Sequence, residues 1–70
     1  MSFEIGDLVE DFIVPYWDRA AESIIPGEFA IIIEKIYGHP ADGQAYIVFT
    51  QQSHVRFMVY GKEMKKVKYV

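Results

Sequence analysis

Catalysis and metal binding need side chains that converge, so the two histidines, three serines and ten carboxylates of the 70-residue chain are weighed first. His39 sits in a Gly38-His39-Pro40 loop and His54 at the start of a strand-like run. They lack the spacing that puts two ligands on one helix face, and they fall in different predicted elements. Ser2, Ser23 and Ser53 stand in contexts unlike a nucleophile elbow, and the acids are scattered rather than paired. There is no cysteine, which excludes disulfides, thiolate zinc sites and a cysteine nucleophile. The residues therefore predict a chain that is not an enzyme, with no catalytic residues, metal or cofactor.

Two other groups point to binding. Tyr16, Trp17 and Asp18, flanked by Asp11 and Glu22, have the composition of an aromatic, acidic groove for a proline-rich or basic peptide. The same rings, with Ile24 and Ile25, are better suited to fold back and plug the end of a core that is short of volume. Arg56, Lys62, Lys65, Lys66 and Lys68, interleaved with Phe57, Tyr60 and Tyr69, form the second group. Basic residues among aromatics are what small barrels use on single-stranded nucleic acid. The formal net charge of −3 opposes that use.

Charge is unevenly placed. Residues 1–42 carry nine acids against Arg19 and Lys35, and residues 43–70 carry five bases against Glu63, which gives −7 followed by +4. Lys66 and Lys68 can meet Asp7, Glu10 or Asp11 as solvated cross-strand pairs within one molecule. Alternatively, the acidic half of one copy meets the basic tail of the next, with Ile32, Val48 or Met58 burying a second apolar face. A core of this size supplies only about 3–5 kcal/mol unaided, and without disulfides or metal, self-association is the remaining source of stability. A homo-oligomer is the expectation.

Positioning any of these groups falls to short elements set off by Pro15, Pro26-Gly27, Gly38 to Gly43, and Gly61. The pattern predicts a strand over 7–14 and a long first loop with one or two helical turns within 17–23. It predicts a strand over 28–37, with Phe29, Ile31 and Ile33 on one face and Ala30, Ile32 and Ile36 mostly on the other. That strand is either covered on both faces or bulged near Glu34-Lys35. A hairpin loop at 38–43 leads to a strand over 45–50, and Gln51-Gln52-Ser53 to one over 54–60 with Val55, Phe57 and Val59 inward. A 3₁₀ turn at 62–65 and a closing strand blunted by lysines complete the chain.

Five short antiparallel strands in a single domain spanning residues 1–70 suggest a small barrel. Gly6-Asp7-Leu8-Val9, Pro26-Gly27 before Ala30 to Ile36, Tyr46-Ile47-Val48-Phe49, and Met64-Lys65-Lys66-Val67 together resemble the SH3-like small barrels of short bacteriophage proteins. The resemblance implies an all-β, five-stranded SH3-like barrel. The Ala-Leu-Tyr-Asp-Tyr type motif of peptide-binding SH3 domains is absent. The N-terminus lacks the basic and apolar stretches of a secretory signal, and no apolar run approaches the roughly 20 residues that span a bilayer. The expected setting is the cytoplasm, that of a host if the chain is phage-encoded, with no membrane partner. The expected role is a protein-interaction or assembly module, with single-stranded nucleic-acid binding as the alternative.

Overall fold

Residues 3–13, 19–37 and 43–68 are described in the computed structural model of the chain. Five strands form: β1 (Leu8–Glu10), β2 (Ala30–Ile36), β3 (Ala45–Thr50), β4 (Arg56–Tyr60) and β5 (Lys65–Lys66). Two 3₁₀ segments, η1 (Arg19–Ser23) and η2 (Gly61–Glu63), interrupt them. All pairings are antiparallel in one sheet of order β4-β3-β2-β1-β5. The fold is thus all-β, but the sheet is not closed: β4 and β5 stand at its two ends.

Departures from the predicted boundaries have local causes. β1 stops at Glu10, not at 14, because Asp11 takes a left-handed φ of 52° that turns the chain out of the ladder. Beyond that turn the Ile13 N–H donates to the Glu63 carbonyl at 2.8 Å, next to η2 instead of along β1. His54, with φ 57°, likewise belongs to the turn and delays β4 to Arg56. η2 starts at Gly61, one residue before the expected turn, and Lys65 pairs in β5. A side chain at position 61 would meet the Tyr46 ring at 3.3 Å, so the start of η2 lies tight against the core. The helical turn expected within 17–23 is the 3₁₀ segment η1; residues 14–18, 38–42 and the ends of the chain lie outside the described residues.

Alternation supplies the core. Val9, Ala30, Ile32, Tyr46, Val48, Phe57 and Val59 are buried on one face, joined by Phe3 and Met64. Phe3 meets Tyr46 edge-on at 5.5 Å between ring centroids, and Phe12 meets Phe57 at 5.4 Å. Val55, assigned inward from its sequence, is only partly buried against this cluster. β2 is bulged one residue earlier than its pattern implied: Ile32 pairs with Val48 and Glu34 with Ile47, leaving Ile33 as the extra residue. The bulge inverts the parity of the residues after it. Ile36 therefore pairs with Ala45 on the outer face, contrary to its expected side, while Lys35 shifts to the Tyr46 side and reaches Glu4 at 3.1 Å.

Glu28 is withdrawn from the predicted strand into the turn before it and is only 3% exposed. Its carboxylate accepts from the backbone N–H of Ile25 (2.6 Å), Gln52 (2.9 Å) and Ser53 (3.0 Å) and from the Ser53 hydroxyl (2.7 Å). Because an ionised carboxylate only accepts, the Ser53 proton points at Glu28. The neighbouring Thr50 hydroxyl, 2.6 Å away, then donates to Ser53 Oγ while accepting from the Val55 N–H at 2.7 Å. Burial by itself raises the Glu28 pKa; the donors from Ser53, Ile25 and Gln52 outweigh it and bring the carboxyl from 4.5 to about 2.

A carboxyl held lower in the folded chain than in the unfolded one stabilises the fold fully above about pH 4.5, and the contribution is lost as pH falls towards 2. Urea midpoints followed from pH 7 to pH 2 are expected to fall steeply across that window. Glu28→Gln is expected to cost about 2–3 kcal/mol at pH 7, the range for a charge-assisted bond replaced by a mismatched amide, and to flatten the acid limb.

Candidate functional site

Three described side chains of types used in catalysis, Glu28, Ser53 and His54, are engaged within the fold. The Glu28 oxygens are filled by four donors, Ser53 serves Glu28, and the His54 ring stacks on Phe49 at 5.8 Å with 18° between planes. No group of three His, Asp or Glu side chains converges as a metal site among these residues, and none of their helices is long and apolar enough to cross a membrane. Tyr16, Trp17 and Asp18 lie outside the described residues. Of their neighbours, Asp11, Glu22 and Ile25 are exposed, while Ile24 packs partly against the core.

The basic residues are spread over several elements. Arg56 is on β4 and Lys65 and Lys66 are on β5, at opposite ends of the strand order, with Lys62 in η2 between them in sequence. Antiparallel pairing of β1 with β5 sets Glu10 across from Lys65 and Val9 across from Lys66. Lys66 accordingly reaches Asp7 at 3.2 Å, and Lys65 comes within 4.0 Å of Asp11 with both side chains mostly exposed. A groove of about 720 Å³ lies here over Phe3 and Met64, and its lining mixes Glu10 and Asp11 with Lys65, Lys66 and Lys68. Mixed signs make a poor track for a phosphate backbone.

Asp7 is held in place from two sides. The Glu4 backbone N–H donates to its Oδ2 at 2.8 Å and contributes most to lowering its pKa; partial burial acts the other way, and Lys66 then adds a hydrogen bond and its charge. At the β1–β5 pairing, two of the five bases of the second half thus meet acids of the first half within the molecule.

The outer face of β2, β3 and β4 is apolar. Cross-strand partners there are Ile31, Phe49 and Arg56 in one row, Glu34, Ile47 and Met58 in the next, and Ile36, Ala45 and Tyr60 in the third. Leu8 of β1 extends the first row beyond Ile31. Ile31, Ile47, Phe49 and Met58 are half-buried, and Phe29 and the bulged Ile33 are 42% and 37% exposed. Of Phe29, Ile31 and Ile33, expected on one face, Ile31 is set on this one by its pairing with Phe49, while Phe29 precedes β2 and Ile33 is the extra residue of the bulge. Ile32 and Val48, however, are not on this second face; both are buried in the core, opposite each other across the β2–β3 pair. Met58 does lie on it. Ile47 and Phe49 are missed by the sequence pattern because the run Ala45 to Thr50 is apolar on both sides and does not separate its faces, whereas the alternation of β4 puts Tyr60 outward with Arg56 and Met58, where its pairing with Ala45 sets it.

Comparison with protein-family models, with curated proteins and with solved structures returns no match. The site therefore rests on its own chemistry. Lys66→Ala is expected to raise the Asp7 pKa part of the way to its ordinary value, leaving the share due to the Glu4 amide, as read by carboxyl chemical shifts through an acid titration. An unchanged Asp7 titration would show that the 3.2 Å pair does not form in solution.

Proposed function

We propose that the chain is a non-enzymatic assembly module of SH3-like architecture that associates with copies of itself through the apolar face of β2, β3 and β4. The observation that carries this reading is the continuity of that face. Three cross-strand rows bring Ile31, Ile47, Phe49, Met58 and Tyr60 together, with Phe29 and Ile33 at its margin and Glu34 and Arg56 as the charges within the rows. An apolar patch of this kind rimmed by polar residues is a signature of an interaction surface, and burying it adds stability to a chain with a small core.

Support for the SH3-like arrangement comes from the strand order. A β2-β3-β4 meander, a fifth strand returning beside the first, and a 3₁₀ turn before it agree with the order that the resemblance implies. The open sheet would be bent into a barrel by packing across the core, where Val9 and Met64 join Phe57 and Val59. The resemblance also places such a module among phage-encoded proteins acting in a host cytoplasm. Single-stranded nucleic-acid binding by Arg56, Lys62, Lys65, Lys66 and Lys68 has less support, because these residues are divided between the two ends of the sheet and acids stand beside Lys65 and Lys66.

Light scattering over a range of protein concentrations is expected to show a reversible homo-oligomer that persists in high salt, since apolar contacts are not screened as exposed ion pairs are. Ile47→Lys is expected to weaken association by roughly 10–100-fold, the cost of losing one buried aliphatic side chain, while leaving the urea midpoint near that of the parent. A strict monomer at every concentration would overturn the proposal. Binding of single-stranded oligonucleotides by that monomer would put the alternative in its place.

A further inference from the structure

The two ends of the sheet are built differently. β5 is two residues long, both are lysines, and acids stand beside each: a short, charged edge of the kind that discourages strand addition. β4 has five residues, Arg-Phe-Met-Val-Tyr, with no lysine or proline, and among the described strands it is paired on its β3 side only. Its hydrogen-bonding phase is fixed by two flanking bonds. Thr50 N–H donates to the Val55 carbonyl at 2.9 Å and Gly61 N–H to the Gln44 carbonyl at 3.1 Å. In an antiparallel ladder hydrogen-bonded and non-hydrogen-bonded pairs alternate, so Phe57 and Val59 turn their peptide groups to β3. Arg56, Met58 and Tyr60 turn theirs away from it. Tyr60 keeps extended backbone angles, φ −83° and ψ 149°, so this edge remains regular up to η2.

We propose that two copies of the chain join edge to edge through β4, in an antiparallel two-fold pairing centred on Met58. This rests on the self-association reading above and adds to it a second contact, along the strand edge, that enlarges the apolar face without covering it. With Met58 facing Met58 of the second copy, Arg56 faces Tyr60 and Tyr60 faces Arg56. Each of these three pairs has its free N–H and C=O groups in phase to exchange two backbone hydrogen bonds. The side chains fit the same symmetry. The two Met58 side chains extend the apolar row that begins at Ile47, and each Arg56 guanidinium reaches the ring of a tyrosine across the seam. A two-fold contact uses the same patch twice, and the Arg-Phe-Met-Val-Tyr strand is complementary to its own reverse at each outward position. The result is a continuous sheet with a doubled apolar face.

Register-specific cross-linking tests this, because the chain has no cysteine of its own. Full-length Met58→Cys is expected to form disulfide-linked dimers under mild oxidation at least about 10-fold faster than Arg56→Cys or Tyr60→Cys. Facing hydrogen-bonded residues lie about 5.5 Å apart at Cα, within disulfide reach, whereas two copies of residue 56 would be roughly 13 Å apart. The double variant Arg56→Cys/Tyr60→Cys is expected to recover the fast rate. An oligomeric parent in which the three single cysteines cross-link alike would overturn edge pairing and leave self-association standing. A parent that is monomeric throughout would overturn both. As a second variant, Met58→Pro removes an outward N–H that none of the described strands uses, a position an edge strand tolerates. It is expected to be folded by circular dichroism and to have a lower mass than the parent by light scattering; a folded variant of the parent's mass would overturn the pairing.

Discussion

A carboxylate withdrawn from water must either take up a proton or be surrounded by donors, and Glu28 is surrounded. The amides of Ile25, Gln52 and Ser53 and the Ser53 hydroxyl reach it from two turns that are 24 or more residues apart in sequence. One of these turns launches β2 and the other joins β3 to β4. A single side chain thereby fixes the start of the central strand relative to the hairpin it pairs with, and Thr50 passes the constraint to Val55 through its own hydroxyl. Everything the sheet presents to solvent depends on that registration, because a slip of one residue would exchange the core set, Ile32, Val48 and Phe57, for the outer set.

The bulge at Ile33 and the pairing of β1 with β5 complete the division between inside and outside. The bulge sends Lys35 towards Glu4 and moves Ile36 onto the outer face, so that the far end of β2 is charged on one side and apolar on the other. The β1–β5 register keeps Lys65 and Lys66 beside Asp11 and Asp7. Exposed pairs of this sort add little stability, but they occupy the basic tail within its own molecule and leave one end of the sheet unattractive to other strands. The opposite end and the outer face carry the apolar surface, which is where association is proposed.

Much of this was legible from local pattern. The run from Ala45 to Thr50 has the limits its composition implies, and the alternation over Arg56 to Tyr60 placed Phe57 and Val59 inward, because each segment meets the core on one face only. Boundaries failed where one residue took a left-handed conformation: nothing in the apolar spacing of Phe12 and Ile13 reveals that Asp11 turns the chain. Phe3 was not recognised as core, since a short acidic N-terminal stretch gives no periodicity to read, yet its ring packs on Tyr46. Glu28 was missed for a deeper reason. An acid at the head of a β-branched run looks like an exposed strand end, and its partners are the amides of a distant turn, which no short-range rule connects. A carboxylate beside Pro26-Gly27 and a serine in the next hairpin turn were the available signals. By contrast, the −7 and +4 halves left contacts within one molecule and between copies both open, and the pairing of β5 with β1 brings Lys66 to Asp7 as the first of these anticipates.

The central claim is that the Glu28 carboxylate locks the two turns as firmly as the sheet itself, and native-state hydrogen exchange of its three donor amides tests it most directly. If the claim holds, the N–H groups of Ile25, Gln52 and Ser53 exchange only through global unfolding at pH 6, with protection equal to that of Val48 in the central hairpin, although Gln52 and Ile25 belong to exposed residues. Exchange of these amides at the rate of an open loop, while Val48 stays protected, would contradict it.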